Sequence, residues 1–97
     1  IIPLKSSITY QDDSIVSKTF LNKNQSSLTL FSFDQGQSIA AHTSPVDAIV
    51  QVIEGEVEII ISDDPYLLKE GDIIMMPKGE PHSLEAKTKF KMLLYKL

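Results

Sequence analysis

The stretch Gly71-Asp-Ile-Ile-Met-Met-Pro77-Lys-Gly79-Glu-Pro81-His82-Ser-Leu-Glu-Ala86 holds two short extended runs, Asp72 to Met76 and His82 to Ala86. Between them lies Lys78-Gly79-Glu80-Pro81, where glycine tolerates positive φ and proline presets a turn angle. Neither run is long enough to show helical periodicity. In the second run His82, Leu84 and Ala86 share one face, and Ser83 and Glu85 share the other. This is the alternation of a β-strand with one face toward a core, and it sets a histidine on the buried side.

The same pattern extends outward in both directions. Ile15 to Leu21, Ser27 to Phe33, Ala48 to Ile53, Val57 to Ile61, Tyr66 to Leu68 and Phe90 to Tyr95 all read as strands, rich in β-branched residues. The breaks carry turn chemistry at Asn22-Lys23-Asn24, Asp34-Gln35-Gly36, Glu54-Gly55, Asp63-Asp64-Pro65 and Glu70-Gly71. Gly36 leads a further short strand ending at His42, a weak echo of the unit that Gly71 leads into His82. Many short strands at regular spacing imply an all-β sandwich or closed barrel. Two glycine-led hairpins that each deliver one histidine would bring His42 and His82 together when the sheet closes. No linker or low-complexity tract interrupts the pattern, so one domain over residues 1–97 is expected.

Ala48 to Ile53 is apolar on both faces apart from Gln51, and such a strand needs a cover outside the barrel. A second copy is the simplest cover, which predicts a homodimer.

Composition narrows the function. All nine basic residues are lysines, and the net charge is −4. Without arginine the chain lacks the rigid two-pronged donor suited to phosphates, so nucleic acid is not an expected partner. No apolar run nears the roughly 18 residues that span a bilayer, and the N-terminal residues do not resemble a secretory signal. No membrane association is expected, and a cytoplasmic location is. The absence of cysteine removes disulfides, thiolate catalysis and cysteine-based zinc sites. Lys87, Lys89, Lys91 and Lys96 cluster near the C-terminus, and their mostly alternate spacing reads as the solvated outer face of a strand.

Gly36-Gln-Ser-Ile-Ala-Ala-His42-Thr-Ser44, followed by Ala48 and Gly55, resembles the first motif of the cupin family. Gly71 through Pro77, Gly79 and His82, with Ala86 four residues on, resembles the second. The resemblance covers about half the chain. It implies a double-stranded β-helix, or jelly-roll barrel, often dimeric. Metal-binding cupins hold a divalent ion with two His and a Glu from the first motif and a His from the second. Here His42 and His82 match two of those ligands, while Ser44 and Ala48 stand at the other two. The form His42-Thr-Ser44-Pro45-Val46-Asp47-Ala48 resembles a subgroup of small bacterial cupins whose activity is largely unassigned.

The candidate ligand-binding residues are therefore His42, His82, Ser44, Asp47, Met75 and Met92. Met76, Phe31, Phe33 and Phe90 are expected with Met75 and Met92 as lining or core of the barrel. A divalent metal (Fe, Mn, Ni or Zn) could be held by His42 and His82 if Asp47 completed a two-His, one-carboxylate face, although strand parity points Asp47 outward. No other cofactor is implied. Glu54, Glu56 and Glu58 read as solvated hairpin residues, with no spacing that makes them a catalytic pair. The leading expectation is a barrel that binds a small polar molecule, or a weakly held metal, at a mouth marked by His42 and His82. The alternative is a metal-dependent oxygenase or isomerase acting on a small organic substrate.

Overall fold

A computed structural model describes residues 1–97. After a 3-10 turn at Leu4–Ser6 come nine strands: β1 (Ile15–Lys23), β2 (Ser26–Phe33), β3 (Ser38–His42), β4 (Ala48–Glu54), β5 (Glu56–Ile61), β6 (Asp64–Lys69), β7 (Ile73–Met76), β8 (His82–Ala86) and β9 (Phe90–Lys96). They form a five-stranded sheet in the order β1-β2-β9-β4-β7 and a four-stranded sheet in the order β3-β8-β5-β6. Every described strand pair is antiparallel. Their inner faces meet as the jelly-roll barrel that the strand pattern and the family resemblance led us to expect.

Alternation decides what fills it. Ala48, Val50 and Val52 of β4, Val57 and Ile59 of β5, and Leu84 and Ala86 of β8 are all shielded from solvent. Phe33 of β2 and Phe90 of β9 are fully buried between the sheets, with ring centroids 4.7 Å apart. Each large apolar side chain sealed in this way contributes about 1.5–3 kcal/mol. Pro65 lies in β6, which pairs only with β5 and so tolerates a residue without a backbone donor.

Part of the outer face of the larger sheet is covered by the chain itself. Ile8, Leu30, Ile53 and Leu93 form a second buried cluster, against which Leu4, Val16 and Phe20 pack. The N-terminal segment thus supplies over Ile53 the cover that the two-faced β4 had suggested would come from a second copy. It is held by polar contacts too. Lys91, on the outer face of β9, is only 7% exposed; its ammonium donates to the Lys5 carbonyl and lies 3.8 Å from Glu54. Tyr10 donates its hydroxyl to the same Glu54 carboxylate, and Lys91 lies 5.0 Å from the Tyr10 ring centroid. Two sequence expectations are corrected here. Lys91 faces outward as expected but lies beneath the N-terminal segment, and Glu54 is a partner in that network, not a free surface acid.

Candidate functional site at the barrel mouth

His42 ends β3 and His82 begins β8, and the two residues are strand partners. Their rings meet edge-on, with centroids 4.3 Å apart and planes at 67°. The meeting depends on an irregularity. Ile39 pairs with Leu84, yet the next matched pair is His42 with His82, so β3 spends three residues where β8 spends two. This bulge reverses the facing of everything after it. Ile39 and His42, an odd number of residues apart, therefore line the same cavity.

Each imidazole is oriented by the backbone carbonyl two residues before it. Nδ1 of His42 donates to the Ala40 carbonyl at 3.0 Å, and Nδ1 of His82 donates to the Glu80 carbonyl at 3.2 Å. A carbonyl only accepts, so Nδ1 carries the proton and Nε2 is the nitrogen left for a ligand. His82 is 4% exposed, yet no fully buried side-chain nitrogen or oxygen lacks a partner. Nε2 of His82, which has no partner, is therefore open to the cavity. Burial, outweighing the Glu80 hydrogen bond and reinforced by the nearby His42 and Lys96, holds the His82 pKa below its usual value. His82 is thus neutral at neutral pH.

Behind the histidines lies a cavity of about 210 Å³. Phe31, Ile39, Val50, Met76, Met92 and Leu94 form much of its wall; Thr43, Ser44, Pro45 and Lys96 join the histidines as its remaining polar or loop-borne lining. Ser44 is buried there, but its hydroxyl is engaged with Val46, donating to the carbonyl at 2.8 Å and accepting from the amide at 3.2 Å. That leaves little of it for a ligand. Ala48, at the position where the motif calls for a carboxylate, presents a methyl group to the cavity.

Met92 lines the cavity as expected, whereas Met75 does not. In β7 the inward positions are Ile74 and Met76, and Met75 is exposed on the outer side. Its place in the lining falls to Met76. Asp47 also faces away: its carboxylate accepts the Lys78 amide at 2.9 Å and caps the turn before His82. Lys96 was expected on the outer face of its strand and is found inside. It continues the row Phe90, Met92, Leu94 into the cavity wall, a parity legible in the sequence once the row is followed to its end. The strand end is pinned by the Leu97 amide donating to the Asp47 carbonyl at 3.0 Å.

The donor set does not fit a resident metal. A well-held ion needs about three protein ligands, and no three His, Asp or Glu side chains converge as a metal-holding group anywhere in the chain. Two imidazoles face the cavity with no carboxylate among its lining, and an ammonium shares the site. That charge pattern opposes a cation.

Residues 29–95 match the family model described as Cupin domain. The chain belongs to the cupin family. No curated protein matches it. Among solved cupin structures and their kin, a conserved protein of unknown function from Streptococcus pyogenes is 37% identical with a TM-score of 0.96, over 100% of this chain and 85% of that one. A cupin superfamily protein from Desulfitobacterium hafniense is 28% identical with a TM-score of 0.95, over 99% and 88%. A cupin 2 conserved barrel domain protein from Leptotrichia buccalis is 36% identical with a TM-score of 0.95, over 99% of this chain and 47% of that one. The cupin barrel sets the architecture of the mouth, while the residues at the mouth set its chemistry.

Proposed function

We propose that this cupin is a small-molecule-binding protein whose ligand enters the mouth between His42 and His82. The supporting observation is the cavity itself: concave, walled mostly by apolar side chains, and furnished at one end with a few oriented polar groups. At about 210 Å³ it is smaller than the roughly 300–1,000 Å³ of drug-sized sites, which suits a compact metabolite. The donor set argues against the alternative of a metal-dependent oxygenase or isomerase. Without a third ligand, the histidines serve as hydrogen-bonding and proton-exchanging groups for the organic molecule itself.

A homodimer belongs to the same reading. Ile49, Ile73, Tyr95 and Leu97 line an apolar groove on the outer face of the larger sheet, beyond the reach of the N-terminal cover. Ile73 is 66% exposed, and a second copy would shield it. Light scattering on the wild type and Ile73→Lys tests this, with a dimer that the substitution converts to monomer as the expected result.

The binding proposal is tested by labelling the methionine methyl groups and screening compact organic compounds by NMR. Ligands of the cavity shift Met76 and Met92 together and leave the exposed Met75 unmoved. A screen in which no compound moves Met76 or Met92 would sink the proposal.

A further inference from the structure

We propose that the cavity selects a small organic anion, a monocarboxylate with an apolar body, and that Lys96 is the residue that holds its charge. This rests on the reading of the cavity as a ligand site and specifies its ligand class.

Lys96 is the one charged side chain lining the cavity. Its ammonium forms none of the ion pairs of the structure, which join Lys5 to Glu70, Lys69 to Asp72, Lys87 to Glu85 and Lys91 to Glu54. It makes no side-chain hydrogen bond either, whereas Lys91 on the opposite face of the same strand is tied to Lys5 and Glu54. The acids adjacent in sequence to the cavity wall, Asp47 and Glu85, are both exposed and engaged elsewhere, Asp47 by the Lys78 amide and Glu85 by Lys87. An inward lysine with no counter-charge, beside two imidazoles and above an apolar chamber, is complementary to a carboxylate on an apolar stem.

The histidines fit the same ligand. With Nδ1 of each ring committed to a backbone carbonyl, Nε2 can accept a hydroxyl proton when neutral. When protonated it becomes a second donor to a carboxylate. A bound anion between Lys96 and His82 favours that protonation, so binding is accompanied by proton uptake and strengthens as pH falls through the histidine range. The titratable groups facing His82 are His42 and Lys96, both of which resist its protonation in the free protein.

Benzoate and its uncharged isostere benzamide separate the proposal from the reading beneath it. Both are titrated into methyl-labelled wild type, Lys96→Met and Lys96→Arg at pH 6.5, with the Met76 and Met92 signals as reporters. The expected result is that benzoate binds at least tenfold more tightly than benzamide, that Lys96→Met removes most of that preference, and that Lys96→Arg retains it. Binding of benzamide as tight as that of benzoate, or a benzoate affinity unchanged in Lys96→Met, overturns the anion assignment and leaves the ligand site intact. Failure of both compounds and of every other compound screened to move the two methionines overturns the ligand site as well. Unaltered methyl spectra away from the mouth show that each variant has folded.

Discussion

His42 and His82 face each other as strand partners, their rings edge-on and 4.3 Å apart. The pairing joins two motifs that lie forty residues apart in sequence, and it exists because β3 carries an extra residue just before its histidine. The neighbouring His42 and burial both disfavour a charge on His82, so His82 is sensitive to pH even without a ligand.

The pH dependence of folding follows from its sign. Because the folded-state pKa of His82 lies below its ordinary value of 6.5, the unfolded chain binds more protons than the folded one between those two values. Stability from this group is fully present above pH 6.5 and is lost as pH falls toward the folded pKa. Urea unfolding between pH 5 and 8 is expected to show wild type losing stability over that window faster than His82→Asn. Equal slopes would mean that burial of His82 does not disfavour its charge.

Metal titration should separate two imidazoles from a true three-ligand site. Calorimetry with Zn(II) and Ni(II) is expected to give weak binding, reduced by His42→Ala or His82→Ala and unchanged by Asp47→Ala. The last variant should instead cost about 0.5–1.5 kcal/mol of stability, because the Lys78 amide loses its acceptor. Tight stoichiometric metal dependent on Asp47 would contradict the outward placement of that side chain.

The N-terminal cover can be read through Tyr10. Burial, together with the hydrogen bond and the negative charge of Glu54, raises the phenol above the usual value near 10. An alkaline absorbance titration is expected to show a late tyrosine phase that Tyr10→Phe removes. In Lys91→Met, hydrogen exchange at residues 4–10 should accelerate, since the ammonium that ties this segment to β9 is gone. Unchanged exchange would assign the segment's docking to its other contacts, Ile8, Leu4 and the hydrogen bonds of Thr9 and Tyr10.

Gly55 and Gly71 make a paired test of the turns. Both have positive φ, at 80° and 93°. A Cβ on Gly55 would lie 2.1 Å from the Lys89 carbonyl oxygen, whereas one on Gly71 would meet nothing within 4 Å. Gly71→Ala is expected to cost about 1–2 kcal/mol for the backbone conformation alone. Gly55→Ala must also push apart the β4–β5 and β8–β9 turns, and its loss of stability in thermal melts should be clearly the larger. Similar losses would mean that the turns separate easily.

The β character, the turn positions, the barrel family and the inward face of His82 were all legible in the sequence, because alternation and turn residues act over a few neighbouring positions. The parity of Phe90, Met92 and Leu94 even carried the inward direction of Lys96, obscured only by grouping it with neighbouring lysines. Met75 and Met76 differ by one position and so part company across β7. Other features needed the closed tertiary structure. The bulge that turns His42 inward is defined by its register against β8, a strand forty residues away. The shelter over Lys91 comes from a segment 86 residues distant. Local periodicity tells a side chain which face of its strand it occupies. Only the packing of distant segments decides whether that face meets solvent, a covering chain or a cavity, and which charges are left there without a partner.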